Sequence, residues 1–496
     1  MTSSNPPSAA LPAFKAYDVR GPVPAQLHID MVHAIGRAYA RVIRPQGPVA
    51  ICRDIRDTSA DFARALAAGL NAEGVATRDI GLGGTEMVYH AAGQPGAGGG
   101  IMITASHNPV GDNGIKMVRG EARPISGDDG LGEIEVLTRQ FLAEQAAAAG
   151  QDNGYAFGPL TDGAQYRPDP ALHAALDLHD SYVAKVRGFV DFDGLRQALA
   201  ARAAAGRRLK LVVNAGNGCA GPTFDALVAG LDLDITRVFH EPDGSFPNGV
   251  PNPMLAKCQE DTASVVRAEQ AGLGIAWDGD FDRCFFFDET GAFIEGYYLV
   301  ALLGTQLLQH EKGGSVVYDT RLTWNTIAQV EAAGGRAVVS KCGHSFIKGA
   351  LRTENAVYGG EMSAHHYFRD FHYCDSGMIP WLLLLERLVA EDRPLSALVA
   401  DAQSAFPCSG EINFKVADAG AALARVEAAV QVELAAGRET LVSESALDGL
   451  SREFPAWRFN LRRSNTEPVV RLNVEARADA SLMRAKTEWL KALIVG

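Results

Sequence analysis

One phrase is written three times along this chain: a short apolar strand, a polar turn, a helix, then a second strand ending in reactive residues. The first copy runs from VAIC (49–52) through the charged turn Arg53-Asp54-Ile55-Arg56-Asp57 and an alanine-rich helix over Asp61–Glu73 to the strand before Ser106. A second runs from LKLVVNAGNGCAG (209–221) to a strand at Gly274 carrying WDGDFDR. The third runs from SVVYDTRLTWN (315–325) to a strand near Val357 ending in GGEMSAHH. Strands alternating with helical crossovers predict α/β domains with mixed or parallel sheets. Ligands gather at the carboxyl ends of such strands, so three related α/β domains facing a central cleft are expected. The end of the chain differs: EINFKV, a helix, WRFNLRRSNTEP, VVRLNVEA and a closing helix predict a smaller C-terminal α+β domain. The expected bounds are 1–175, 176–291, 292–406 and 407–496. A helix is also expected over Asp30–Val42, and a helix with surface loops between about Glu121 and Pro170.

A chain of 496 residues is too long for one core. Its 47% apolar and 21% charged residues are those of an ordinary globular protein. A net charge of −13 argues against nucleic acid or an anionic membrane surface as partner. An anionic substrate then has to be met by local clusters of Arg and Lys. The seven cysteines (52, 219, 258, 284, 342, 374 and 408) show no C-x-x-C spacing, which predicts reduced thiols, a cytoplasmic home and no structural zinc. The start, MTSSNPPSAALPAF, lacks the basic and apolar regions of a signal peptide. Apolar runs such as Trp381–Leu385 are too short to span a bilayer.

In GGGIMITASHNPVGDNGIK (98–116), an apolar run delivers Ser106 into a turn made by Asn108 and Pro109. A hydroxyl at the tip of a buried strand is rigidly held, as a nucleophile or phosphate carrier must be. His107, adjacent on an extended strand, is expected to point to the opposite face. Asn113-Gly114 reads as a second turn, after which Lys116 returns a positive charge to the same neighbourhood. The segment is not a G-x-S-x-G elbow, so the serine needs partners from elsewhere.

WDGDFDR sets Asp278, Asp280 and Asp282 at alternate positions, which in an extended segment share one face. Clustered carboxylates call for an oxygen-preferring divalent cation, Mg²⁺ first. An EF-hand calcium loop competes, with Glu289 at its last position, but Arg283 stands where that loop needs glycine and the flanks read as strands. GGEMSAHH offers Glu361, Ser363 and His365 by alternation after a Gly359-Gly360 turn, a set suited to a polyhydroxylated ligand. KCGHSFIK supplies His344, whose ordinary pKa range suits proton transfer. LRRSNTEP places Arg462, Ser464, Asn465 and Thr466 in one short loop, a fork, hydroxyls and an amide for a phosphate dianion. Arg20, Arg283 and Arg321 are further anion-binding candidates. A phosphate-carrying serine, a cation site, a polyol reader and a separate phosphate anchor together describe an intramolecular phosphomutase.

At these residues the chain resembles the α-D-phosphohexomutase family. TASHNP is similar to its phosphoserine loop, DGDFDR to its metal loop, GEMSAHH to its sugar loop and RRSNT to its phosphate loop, all in family order. FKAYDVRG (14–21) resembles the N-terminal signature, and the run from Asp278 to Tyr298 looks most like the bacterial phosphomannomutase branch. The resemblance implies four domains around a cleft, a phosphorylated Ser106, and Mg²⁺ held by Ser106, Asp278, Asp280 and Asp282. It implies Lys116 and His344 in catalysis, and Glu361 and Ser363 on sugar hydroxyls. Arg462, Ser464, Asn465 and Thr466 would hold the distal phosphate, with Tyr17, Arg20, His107, Arg283, Arg321 and His365 as further substrate-binding residues. The implied reaction interconverts mannose 6-phosphate and mannose 1-phosphate through hexose 1,6-bisphosphate and feeds GDP-mannose synthesis, in a monomer or dimer. A phosphoglucomutase or dual-specificity mutase is the alternative; a Mg²⁺-dependent sugar phosphatase and a non-catalytic binding protein are more distant ones.

Overall fold

The computed structural model of the chain describes residues 10–127, 129–149, 161–463 and 469–496. They form two compact units, the first of the described residues up to 287 with 374–389, the second of those in 288–373 and from 390 on.

The first unit holds two α/β sheets. In one, Val49–Arg53 lies parallel between Thr77–Leu82 and Gly99–Ile103. Asp112–Arg119 returns antiparallel beside Gly99–Ile103, and Val19–Pro22 covers its outer edge. The predicted helices are present as Ile29–Ile43 and Ser59–Ala72. Met31, Val32, Ile35, Ala38 and Tyr39 form the buried stripe of the former, at the spacing an amphipathic helix requires. The region after Glu121 contains the helix Leu131–Ala148. In the other sheet Lys210–Asn214 lies parallel between Asp234–Val238 and Leu273–Trp277, and Cys284–Phe287 returns antiparallel beside the last.

In the second unit Ser315–Asp319 lies parallel between Arg336–Ser340 and Tyr358–Gly360, with His366–Phe368 antiparallel beside Tyr358–Gly360. A fourth, antiparallel sheet is ordered Ile412–Lys415, Val469–Ala476, Trp457–Arg463, Leu450–Glu453, Ser443–Ser445. Its core, with Phe459, Leu461, Leu472 and Val474, is covered by helices Ala419–Ala435 and Ala480–Val495. The fold is thus three α/β domains with mixed sheets and a smaller α+β domain, as expected. Among the described residues, no helix is long and apolar enough to cross a membrane, and all seven cysteines are free thiols.

Two turn expectations fail. Asn113-Gly114 lies inside the strand Asp112–Arg119, paired with Gly21 and Arg20. The Asn113 side chain supplies the reason: it receives the Gly114 N–H and donates to Thr58 and Ser59, satisfying within the sheet the polar groups that usually make Asn a turn former. Gly359-Gly360 is likewise strand, in register with Val317 and Tyr318.

Within the first unit, residues 374–389 are tied down by Glu86. Its carboxylate accepts from the Gly377 N–H at 2.6 Å, the Met378 N–H at 3.3 Å and the Tyr182 hydroxyl. Burial pushes this carboxyl up to about 8 against the pull of those donors. Between the ordinary 4.5 and about 8 the folded chain therefore binds more protons here than the unfolded chain. That contribution to stability is complete below the lower value and lost as pH rises through the upper one. Glu86→Gln is expected to flatten this dependence, so that denaturation midpoints at about pH 5 and about pH 8 differ less than in the parent.

Candidate active site

Three loops occupy the same place in three sheets. Each connects a strand in parallel pairing to the antiparallel strand that follows it: 104–111, 278–283 and 361–365. Each also contains one non-glycine residue in the left-handed region, Ser106 (φ 49°), Phe281 (φ 44°) and Ala364 (φ 68°). Such a residue costs about 1–3 kcal/mol and persists only where its surroundings enforce it.

For Ser106 the surroundings are explicit. Its N–H donates to Thr104 Oγ1 at 2.8 Å, and the strand Gly99–Ile103 beneath is wholly buried. The Arg56 guanidinium donates to five carbonyl oxygens of the loop and the strand start after it, those of Ser106 (2.9 Å), Asn108 (2.6 Å), Pro109 (2.7 Å), Val110 (3.5 Å) and Asp112 (2.9 Å). Asp54 sets this clamp, accepting from the Arg56 N–H at 3.0 Å and the Ser59 hydroxyl at 2.6 Å. Arg56 and Asp54 were legible only as a polar turn after a buried strand; a cation and a carboxylate two apart in that turn were the available signal.

The kink at Ser106 corrects the expectation for His107. The backbone is not extended, so the neighbouring side chains converge, with Ser106 Oγ 3.0 Å from His107 Nδ1. Burial, then Arg283 and Arg20, hold His107 well below the ordinary imidazole pKa, so the ring is neutral. Its Nδ1 also faces an Arg283 N–H.

Ser106 Oγ donates to Asp278 Oδ2 at 2.7 Å. The approach of the loops depends on Gly279, where a Cβ would lie 2.7 Å from the Ser106 carbonyl oxygen. Asp278, Asp280 and Asp282 are all buried, and each offers an oxygen within 4.8 Å of the others. The grouping was foreseen but not its cause. Phe281 turns the chain back, its N–H donating to the Asp278 carbonyl at 3.1 Å, so the carboxylates meet across a turn and not along an extended face.

Two cations hold the triplet. Arg283 Nε lies 2.8 Å from Asp278 Oδ2, and Lys116 Nζ lies 2.7 Å from Asp280 Oδ2 and 2.5 Å from Asp282 Oδ2. Burial opposes the charge of Lys116, but Asp280 and Asp282 outweigh it and raise its pKa. Burial raises the Asp278 carboxyl despite Arg283. Arg20 sits at the edge of this group, its Nε 2.6 Å from Asp18 and its Nη1 3.4 Å from Asn108 Oδ1. Tyr17 lies half-buried in the bend before Val19–Pro22.

Three carboxylates against Lys116 and Arg283 leave a negative remainder, and a phosphate on Ser106 would deepen it by about −1.5 to −2. Asp280 Oδ1, moreover, is buried with no hydrogen-bond partner among the described residues. An all-oxygen, acidic donor set with an unsatisfied buried oxygen fits a hard divalent cation.

The second unit assembles another group. Arg321 grips Asp319 with Nε at 3.0 Å and Nη2 at 2.7 Å, and its Nη2 lies 3.4 Å from both Glu361 Oε1 and Ser363 Oγ. Ser363 Oγ is 3.2 Å from His365 Nδ1. Glu361 accepts from Tyr367 at 2.6 Å and from the Gly343 N–H at 2.8 Å, beside the start of helix His344–Glu354, which brings His344 to this end of the sheet. Here too a turn at Ala364, not alternation, gathers the side chains, with the Ala364 N–H donating to the Glu361 carbonyl at 3.0 Å. Arg462 corrects a further expectation: it lies in strand Trp457–Arg463, in register with Arg471. Its Nη2 is 3.0 Å from Glu411, which also takes Arg321 (3.4 Å) and Arg471 (3.3 Å). Ser464, Asn465 and Thr466 lie outside the described residues. Asp319 and Glu411, which order these arginines, were not singled out from the sequence.

Models for phosphoglucomutase/phosphomannomutase α/β/α domains I, II and III match residues 12–141, 181–291 and 295–406, and the C-terminal domain model matches 411–492. The chain belongs to the phosphoglucomutase/phosphomannomutase family. It is 49% identical over 492 residues to a phosphomannomutase of Escherichia coli, covering 98% of this chain and 99% of that protein. It is 50% identical over 486 residues to a Xanthomonas campestris protein named phosphohexose mutases, covering 98% and 100%. A crystal structure of a phosphoglucomutase/phosphomannomutase family protein from Burkholderia thailandensis superposes with a TM-score of 0.77 at 31% identity, covering 97% of this chain and 96% of that one.

Family membership and the carboxylate triplet make a metal-dependent thermal shift the direct check on the site. A divalent cation present at about 100 times its Kd should stabilise the fold by about 2.7 kcal/mol. Asp280→Asn is expected to lose most of that increment, as read from melting temperatures with Mg²⁺ and with EDTA.

Proposed function

We propose that this chain is a phosphohexomutase interconverting mannose 6-phosphate and mannose 1-phosphate, with Ser106 as the phosphoryl carrier. The observation that carries the reading is Ser106 Oγ, set by a strained and clamped loop at 2.7 Å from Asp278 in a buried carboxylate triplet. Full-length similarity to a phosphomannomutase supports the choice of sugar.

In the first half-reaction the Oγ–P bond of phosphoserine breaks and a bond forms from phosphorus to the free sugar hydroxyl oxygen, giving hexose 1,6-bisphosphate. The hydroxyl proton leaves the sugar, and Ser106 Oγ ends protonated. Asp278 Oδ2 is placed to accept from that restored hydroxyl. After the bisphosphate turns round, its other phosphate returns to Ser106. Lys116 and Arg283, held against the triplet, offer positive charge beside the transferring group. Mg²⁺, held by Asp278, Asp280, Asp282 and Ser106, would neutralise charge on the phosphoryl oxygens. Neutral His107 orients without adding charge.

The second unit carries the recognition roles in this reading. Glu361 and Ser363 take sugar hydroxyls and His365 joins them, His344 handles the sugar's proton, and Arg321 and Arg462 with Ser464, Asn465 and Thr466 take the distal phosphate. Tyr17 and Arg20 complete the substrate contacts. The domains run 1–175, 176–291, 292–406 and 407–496, and the chain works in the cytoplasm as a monomer or dimer, supplying mannose 1-phosphate for GDP-mannose. The family description, which names phosphoglucomutase beside phosphomannomutase, supports acceptance of glucose phosphates as a second reading.

The test is turnover of both sugar phosphates with catalytic hexose 1,6-bisphosphate. Mannose 6-phosphate is expected to be isomerised with inorganic phosphate a minor product; stoichiometric phosphate release would instead mark a phosphatase. Ser106→Ala should lower kcat by roughly 10⁴-fold or more while leaving the melting temperature near the parent's.

A further inference from the structure

We infer that Thr85, outside the residues assigned to the reaction above, is a positioning residue that fixes the metal-site carboxylate of Asp280. Thr85 opens the helix Thr85–Ala92 and is fully buried. Its hydroxyl donates to Asp280 Oδ2 at 2.5 Å, and its N–H donates to the Asp280 carbonyl at 3.1 Å. One residue of the first sheet's domain thus holds both the backbone and the side chain of a metal-loop residue. The contact is built in: at the preceding Gly84 a Cβ would fall 2.3 Å from the Phe281 ring and 2.6 Å from the Asp280 carbonyl oxygen. No other residue type lets the helix come so near.

What the hydroxyl does follows from how Asp280 divides its oxygens. Oδ2 takes Thr85 and, at 2.7 Å, Lys116; Oδ1 is buried with no hydrogen-bond partner among the described residues. Lys116 alone does not fix the carboxylate's rotation, because its flexible stem also serves Asp282 at 2.5 Å. Thr85 is short, fully buried and held by its own N–H on the Asp280 carbonyl, so its hydroxyl direction is set by backbone and packing. It pins Oδ2 and leaves Oδ1 as the oxygen for a cation. Groups that orient a ligand in this way typically carry 10–100-fold of metal affinity.

This inference rests on the reading of the triplet as a cation site, and its test separates the two. Mn²⁺, an oxygen-preferring ion followed by its electron paramagnetic resonance, is titrated into the parent protein, Thr85→Val and Thr85→Ser, with Mg²⁺ as competitor. Thr85→Val, which keeps the shape but not the hydroxyl, is expected to bind Mn²⁺ about 10–100-fold more weakly. Thr85→Ser should restore binding toward the parent's, and saturating metal should return most of the kcat of Thr85→Val. Equal affinity in Thr85→Val and parent, or equal loss in Thr85→Ser, overturns the inference. Failure of the parent itself to bind Mn²⁺ overturns the cation-site reading instead. Should Thr85→Val not fold, Thr85→Ala carries the same comparison.

Discussion

Three carboxylates taken out of water within 4.8 Å of one another are the constraint to which the first unit answers. Buried like charges are unfavourable unless cations and hydrogen bonds compensate them. Lys116 arrives on the antiparallel strand beside the serine loop, and Arg283 leaves the carboxylate loop itself and grips Asp278. The compensation is incomplete, which is what a site for a divalent cation and a passing phosphoryl group requires. The neutrality of His107 belongs to the same balance, since burial first, and then Arg283 and Arg20, disfavour another cation there.

The second unit solves the complementary problem. Arg321, Arg462 and Arg471 are brought together by carboxylates, chiefly Asp319 and Glu411, in an acidic protein whose overall field opposes an anionic ligand. Glu411 takes all three guanidinium groups, and Arg321, Arg462 and Arg471 hold its carboxyl below the ordinary range despite burial. Fixed acid–base pairing keeps the guanidinium groups in place, and Arg is suited to it because its planar fork engages more than one oxygen.

The loops 104–111, 278–283 and 361–365 show how one architectural event serves different chemistry. Where parallel pairing gives way to an antiparallel return, the chain must reverse at a strand's carboxyl end, and a left-handed residue does so in each case. Placing Ser106, Phe281 and Ala364 there, with no glycine, stores strain that packing must hold. Arg56 is the visible clamp for the first, and Phe281 is held by the burial of its ring.

The thrice-repeated phrase, the Asp278–Asp282 spacing and the Ser106 turn were enough to read four domains and their order, and to name a serine and three aspartates that the fold brings together, because apolar periodicity and clustered like charge are local properties. Arguments from strand alternation grouped Asp280 and Glu361 with neighbours that the structure does gather, but by a turn and not by alternation, since a single left-handed dihedral is not written in residue type. Arg462 fell in a strand for a similar reason: pairing with Arg471 is a choice of register between distant segments. Thr85, Asp319 and Glu411 were silent in the sequence, and Arg56 showed only as part of a polar turn. Each acts by donating to or accepting from a partner remote along the chain or across a turn, and only the folded packing of helices, strands and loops sets those distances.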